Sequence, residues 1–254
     1  MGYVKRLVFA CIMIVAIFTI SQSWALDPAL EGEYQKARLL LREGKQEEVL
    51  NIFRKVANEN QTDIIINLGT INAMIDEAMS LKANNDPGWK RKIHNAFGDL
   101  RIIYSKNRSS PEVYLSFAKC YWLNNSLLKA EKSLKKAFYY KPGYIEALTF
   151  SGDMYLEEGK KIGITVFQGE ASRAEARDSM ETYRGKAKTS YEKALAMVEL
   201  DNETKAMVHY KLGEVYLVLY DYKDKAREQW DSAVSIAAES PWGKKAQERL
   251  STLK

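Results

Sequence analysis

The stretch that decides the fold is AKCYWLNNSLLKAEKSLKKAFYYKP, residues 118–142. Its second half places Ala130, Leu134 and Ala137 at spacings of four and then three residues. This spacing puts a large side chain between two small ones on one face of a helix, where a neighbouring helix can approach closely. The same triplet returns twice further along the chain, as Ala187, Tyr191 and Ala194 and as Ala226, Trp230 and Ala233. A recurring contact between helices is therefore predicted.

The segment before each triplet carries a repeated pattern of its own. A small residue stands three positions before a tyrosine in Ala118 and Tyr121, Gly152 and Tyr155, and Gly213 and Tyr216. This second recurrence, ahead of each triplet, indicates an internal repeat. Three helix starts are also marked in the sequence, because Asp27-Pro28, Ser110-Pro111 and Ser240-Pro241 each place a capping residue before a proline that suits the first helical position.

This paired pattern resembles the tetratricopeptide repeat (TPR), a helix–turn–helix unit of about 34 residues. The resemblance implies an all-α, right-handed solenoid of helical hairpins. We assign its units to residues 30–63, 64–110, 111–144, 145–201 and 206–239. A last helix over 241–253, with Trp242, Ala246 and Leu250 as its apolar stripe, is predicted to cap the end of the solenoid.

One unit contains an insertion, residues 159–181, between its two helices. The insertion includes the apolar run GITVFQG, 163–169, which is the one candidate for a β-strand in the sequence. From Ala171 to Val198 the composition is helical without a break, which predicts a lengthened second helix. Two interpretations stay open: the insertion forms a small satellite cluster on the solenoid, or it projects and docks onto a partner or a membrane.

The first 25 residues have the layout of a cleavable signal peptide. Lys5 and Arg6 precede an apolar run of fourteen residues, and Ser23 and Ala25 supply the small residues of a cleavage site. The mature chain would then be residues 26–254, exported to the periplasm. In the alternative, the segment stays uncleaved and anchors the protein in the inner membrane, so that the membrane is contacted through the N-terminus.

Charge and cysteine content narrow the class of partner. Removal of the signal peptide leaves 36 Lys and Arg against 33 Asp and Glu, so the balance provides no electrostatic basis for binding nucleic acid. One cysteine, Cys120, remains in the mature chain and excludes an internal disulfide. We interpret it as a small packed side chain. Lys132, Lys135 and Lys136 are assigned to the solvent face of their helix.

The sequence contains no recognisable catalytic or cofactor motif. Its two histidines, His94 and His209, are far apart, and HExxH, Cys-x-x-Cys, G-x-S-x-G, P-loop and G-x-G-x-x-G signatures are absent. His209 holds the repeat position of Tyr114, which indicates a packed residue. We therefore predict a non-catalytic protein without a cofactor or metal. The alternative is an enzyme whose site uses acids and tyrosines with no local signature.

The resemblance also implies where a partner would bind. The first helices of stacked TPR units line a groove that takes a peptide, a helix or a partner surface. The matching positions are Tyr34, Arg38, Arg42, Leu115, Lys119, Trp122, Leu123, Thr149, Asp153, Leu156, Tyr210, Glu214 and Leu217. This lining runs from basic to acidic, which suits a polypeptide better than a phosphate-rich partner.

Two functions follow as hypotheses. The first is a periplasmic protein–protein interaction scaffold that binds a polypeptide in its groove and helps to assemble a cell-envelope complex. The second is an accessory protein of a periplasmic solute transport system. It would hold a small ligand in the solenoid pore, in a cavity ringed by Trp122, Tyr155 and Tyr210.

Overall fold

The computed structural model describes residues 64–167, 173–198 and 200–253, besides isolated positions before residue 64. These ranges form α-helices joined by short turns and contain no β-strand, which confirms the all-α prediction for this part of the chain. The helices are α1 (Ile64–Ala83), α2 (Trp89–Lys106), α3 (Pro111–Leu123), α4 (Leu127–Tyr140), α5 (Ile145–Phe167), α6 (Arg173–Leu195), α7 (Asn202–Tyr220), α8 (Lys223–Ala237) and α9 (Pro241–Thr252). The predicted signal peptide and unit 30–63, with Tyr34, Arg38 and Arg42, lie outside the described ranges.

The chain divides into two compact units, residues 1–142 and 143–254. In the first unit α1 pairs with α2 and α3 pairs with α4, while α3 also packs against α1 and α2. Apolar side chains of α1, α2 and α3 share one core, in which Ile75, Leu100 and Val113 are fully buried. Two helical hairpins therefore stack by burying the apolar stripe of each helix.

In the second unit α5 pairs with α6 and α7 pairs with α8. In both hairpins a glycine of the first helix lies against the large residue of the triplet on the second helix. A Cβ atom built on Gly152 would lie 2.5 Å from the Tyr191 ring, and one on Gly213 would lie 2.4 Å from the Trp230 indole. Glycine is required at both positions because any side chain would enter the space of a buried ring.

Helix α9 closes the second unit by packing against α8 and α7. Its start is fixed as predicted, since Ser240 Oγ accepts a hydrogen bond of 3.0 Å from the Gly243 amide. Gly243 allows the close approach, because a Cβ atom there would lie 2.0 Å from the Ala237 carbonyl oxygen. The buried Trp242 and Ala246 form the apolar stripe expected of a cap helix.

The insertion lengthens both helices of its hairpin. Helix α5 continues to Phe167 and α6 begins at Arg173, and each has 23 residues. The strand considered for 163–169 is therefore wrong as far as Phe167, because a helix already begun at Ile145 propagates through the β-branched run without a proline to stop it. None of the described helices is both long enough and apolar enough to cross a membrane.

Candidate partner-binding faces

The first helices of the two hairpins in the first unit form a polar face, which we call the α1–α3 face. It comprises Asn72 and Asp76 of α1 and Ser116, Lys119 and Trp122 of α3. Ser116 Oγ donates a hydrogen bond of 2.9 Å to Asn72 Oδ1 and so joins the two helices. The three α3 residues lie three positions apart, which places them along one side of that helix.

Asp76 is the unusual residue of the α1–α3 face. Its side chain is buried, with 4% of the residue exposed, and Oδ1 has no hydrogen-bond partner among the residues that the structure describes. Burial raises the pKa of Asp76 from 3.8 to about 6, and the positive charge of Lys119 opposes that rise. A buried carboxylate oxygen without a donor is energetically costly, so this position favours a donor supplied from outside the described residues.

The other predicted contact residues of the first unit divide by burial. Lys119 and Trp122 are half-buried and keep surface to offer a partner. Leu115 and Leu123 are 5% and 4% exposed, so they are better described as packing residues than as groove lining. The Leu123 carbonyl also accepts a hydrogen bond from Lys82 Nζ, which lies 4.7 Å from the centre of the Trp89 ring.

In the second unit, Asp153 joins three helices. Its carboxylate accepts hydrogen bonds from Lys211 Nζ of α7 at 2.5 Å and from the Tyr191 hydroxyl of α6 at 2.6 Å. Burial first, and then the Asp153 carboxylate, raise the pKa of Tyr191 well above its usual value. The sequence predicts Asp153 as a groove residue; in the structure its side chain is partly exposed and its oxygen atoms are hydrogen-bonded to Lys211 and Tyr191.

Two further residues that were predicted to contact a partner, Glu214 and Tyr210, contact the cap helix α9. Glu214, 8% exposed, accepts a hydrogen bond of 2.6 Å from Arg249 of α9. The Tyr210 ring lies 5.5 Å from the Trp242 ring, centre to centre. Glu214 and Tyr210 therefore hold α9 in place. Leu156 is buried as well, and Thr149 donates to the Glu146 carbonyl oxygen within its own helix.

The sequence analysis missed several residues of the α1–α3 face and several partners of the predicted contact residues in the second unit. They are Asn72, Asp76, Ser116, Lys211, Trp242 (as a partner of Tyr210) and Arg249. Only Asp76 left a local signal. It stands with Glu77 in the largely apolar helix IIINLGTINAMIDEAMSLKA. Acidic side chains are rarely buried unless they are paired. The other five have ordinary surroundings in the sequence, and their partners lie on other helices.

The described residues show no catalytic constellation. His209 Nδ1 is 2.9 Å from Gln229 Oε1, a contact between α7 and α8 that agrees with a packed histidine. Cys120 is fully buried, and burial raises the pKa of its thiol from 9.0 to about 12. Within the ranges that the structure covers, no three His, Cys, Asp or Glu side chains are grouped so that they could hold a metal ion.

Helical hairpins closed by glycine against an aromatic ring, with a cap helix at the end, define an all-α repeat protein. No family model and no curated protein sequence matches this chain. Its structure is similar to that of TTC0263, a thermophilic TPR protein in Thermus thermophilus, with a TM-score of 0.58 and 16% identity over 88% of this chain and 97% of that one. The crystal structure of MamA is also similar, with a TM-score of 0.41 and 15% identity over 83% and 96% of the two chains. The likeness to TTC0263 shows the fold: this chain has the fold of a TPR protein.

Proposed function

We propose that this protein is a non-catalytic interaction scaffold that binds a polypeptide partner at the α1–α3 face. The observation that carries the proposal is the buried Asp76 carboxylate, whose Oδ1 has no hydrogen-bond partner in the described part of the chain. Because Asp76 itself is buried, a partner would contact Lys119 and Trp122, which keep exposed surface. Lys119 would donate to a partner carbonyl oxygen or carboxylate, and Trp122 would pack against an apolar side chain.

The proposal is supported by the contrast between the two units. In the second unit Asp153 and Glu214 each have a cationic partner within the chain, although Glu214 Oε1, like Asp76 Oδ1, has no hydrogen-bond partner among the described residues. In the first unit no ion pair within 4.0 Å joins Asp76 to a described residue, and the half-buried Lys119 is close enough for its charge to act on the Asp76 carboxyl. The α1–α3 face is therefore the better candidate for a polypeptide site.

Photocrosslinking tests this proposal directly. A photoreactive amino acid at Trp122 should capture a protein in intact cells, and the same amino acid at Asn95, an exposed position of α2, should not. Lys119→Glu should reduce capture at Trp122 while leaving the helical circular dichroism unchanged. Capture of no protein at Trp122, or equal capture in the Lys119→Glu variant, would rule out the α1–α3 face as the site.

We further propose that the scaffold works in the periplasm as part of a cell-envelope complex, on the basis of the predicted signal peptide 1–25. Mass spectrometry of the protein from its native host should find a mature chain that begins at Leu26. An intact N-terminus would replace this proposal with an inner-membrane anchor. If the protein works in the periplasm, the partner captured at Trp122 should be another component of the cell envelope.

The solute-transport alternative is less well supported. It needs free ring surfaces at Trp122, Tyr155 and Tyr210, but the Tyr210 ring packs against Trp242 and the Tyr155 ring stacks on Tyr183 at 6.1 Å between ring centres. Both contacts lie within the second unit. We therefore prefer the polypeptide scaffold.

A further inference from the structure

The outward side of α4 carries a stripe of four exposed residues, which we call the α4 stripe: Leu128, Lys132, Lys135 and Tyr139. They follow one another at spacings of four, three and four residues, so they project within about 60° of one another around the helix. Leu128 is 64% exposed and Tyr139 is 79% exposed. Such exposure is unusual for large apolar and aromatic side chains that share a face with lysines.

The rest of α4 is held firmly in the first unit. Ala130, Ser133, Leu134 and Ala137 are buried on its inner side. Lys136 lies 5.2 Å from the centre of the Tyr114 ring, and Tyr140 stacks on that same ring at 5.6 Å. By contrast, no hydrogen bond or ion pair joins Lys132 or Lys135 to any residue in the described ranges. The stripe is therefore presented by a fixed helix, and its charges are not used within the unit.

Positive charge is concentrated in the part of the chain that carries the stripe. Residues 26–142, the first unit without the predicted signal peptide, contain nineteen Lys and Arg and fourteen Asp and Glu, a formal net charge of +5. Residues 143–254 contain seventeen and nineteen, a formal net charge of −2. The near balance of the whole chain conceals this difference, which favours an anionic partner for the first unit.

We propose that the α4 stripe docks the first unit on an anionic phospholipid surface. The two lysines lie between an aliphatic and an aromatic side chain that are separated by about 16 Å along the helix axis. Lysines at that position pair with lipid phosphates, while leucine and tyrosine enter the headgroup region, where amphipathic rings are favoured. A convex ridge on a helix suits a flat membrane surface better than an extended peptide, which needs a groove or a sheet edge.

Vesicle sedimentation tests the proposal. The protein should sediment with vesicles of phosphatidylglycerol and phosphatidylcholine more strongly than with phosphatidylcholine alone, and added salt should weaken this binding. The double variant Lys132→Gln, Lys135→Gln should bind at least about tenfold more weakly. The double variant Leu128→Ser, Tyr139→Ser should also bind more weakly, because it removes the groups that enter the headgroup region.

A charge-matched control separates the stripe from net charge. Lys193→Gln with Lys244→Gln removes the same charge from exposed positions of the second unit and should bind as the unaltered protein does. All variants carry the same N-terminus as the unaltered protein, so that any apolar leader segment contributes equally to vesicle binding. Circular dichroism confirms that each variant is folded.

Two outcomes would overturn the proposal. One is binding to anionic vesicles that is unchanged when Lys132 and Lys135 are replaced. The other is binding of soluble polyglutamate, lost in the same variant, without any preference for anionic vesicles, which would assign the stripe to an acidic protein. Crosslinking at Trp122 should persist in the stripe variants, so this proposal and the polypeptide site fail independently.

Discussion

Gly213 of α7 lies directly against the indole of Trp230 in α8: a Cβ atom at Gly213 would be 2.4 Å from Trp230 Nε1. Trp230 is fully buried, and its Nε1 donates a hydrogen bond of 3.1 Å to the Tyr210 carbonyl oxygen. The indole therefore cannot move aside without losing that bond. This contact sets how closely the two helices of the hairpin approach each other.

Gly213→Ala should lower the free energy of unfolding by about 1–3 kcal/mol, because the added methyl group overpacks the buried indole. Thermal unfolding followed by circular dichroism measures the change. The matched control is Gly185→Ala in α6, where no atom lies within 4 Å of the added methyl group. That substitution should stabilise the protein by up to about 1 kcal/mol, since alanine favours a helix over glycine. Equal effects of the two variants would contradict the packing argument.

Arg249→Ala should loosen the cap helix. It leaves the buried Glu214 carboxylate without its cation, which should reduce the free energy of unfolding by about 1–3 kcal/mol in urea titrations. Adding Glu214→Gln should recover part of the loss, because the buried charge is then removed. Arg227→Ala is the control: it breaks an ion pair with the almost fully exposed Asp224 and should change stability by less than about 0.5 kcal/mol. A similar loss in both arginine variants would show that burial of Glu214 is not the cause.

Asp76→Asn should remove a pH dependence of stability. The folded-state pKa of Asp76, about 6, lies above its usual 3.8. Between those values the folded protein keeps a proton that the unfolded chain has lost, so stability falls as pH rises through the window and stays lower above it. The loss amounts to up to about 3 kcal/mol.

The measurement is the free energy of unfolding of both proteins at pH 4, 6 and 8. The advantage of the Asp76→Asn variant should grow across that range and then remain constant. Asp231→Asn, at an exposed position, is the control and should leave the pH profile unchanged. Parallel profiles for the Asp76→Asn variant and the unaltered protein would mean that the carboxylate is not desolvated.

Cys120 should be inert in the folded protein. Because burial raises the pKa of its thiol to about 12, only about one molecule in ten thousand holds the thiolate at pH 8. Alkylation by iodoacetamide, followed at the peptide containing Cys120 by mass spectrometry, should be more than about a thousandfold slower in buffer than in urea. Similar rates in the two conditions would show that Cys120 is accessible.

Much of the fold could be predicted because its decisive contacts join helices that are neighbours in the chain. The triplet around Trp230 recurs along the chain and resembles the second helix of a TPR unit, which is enough to predict the hairpin but not the contact of Trp230 with Gly213. Serine caps such as Ser240 act within three residues and are equally local. The helical path of 163–167 was missed because a β-branched apolar run suits a strand and a buried helix alike.

The candidate sites depended on contacts that the sequence does not record locally. Asp76 and Lys119 come together only because α1 packs against α3 across the intervening α2, and Glu214 meets Arg249 only because α9 turns back onto α7. Residues at equivalent repeat positions, such as Lys119 and Asp153, therefore have different electrostatic partners. Lys119 lies close to the buried Asp76, whereas Asp153 forms an ion pair with Lys211.

The sequence by itself determined the helices, their pairing and the cap, since periodicity and small–large spacing act between adjacent segments. Tertiary structure alone decided which polar side chains are paired internally, which carboxylate oxygens are buried without a donor, and which lysines of α4 face outward beside exposed Leu128 and Tyr139. The physical reason is that burial and charge pairing depend on the distance between helices that are remote in the chain, and spacing along one helix does not encode that distance.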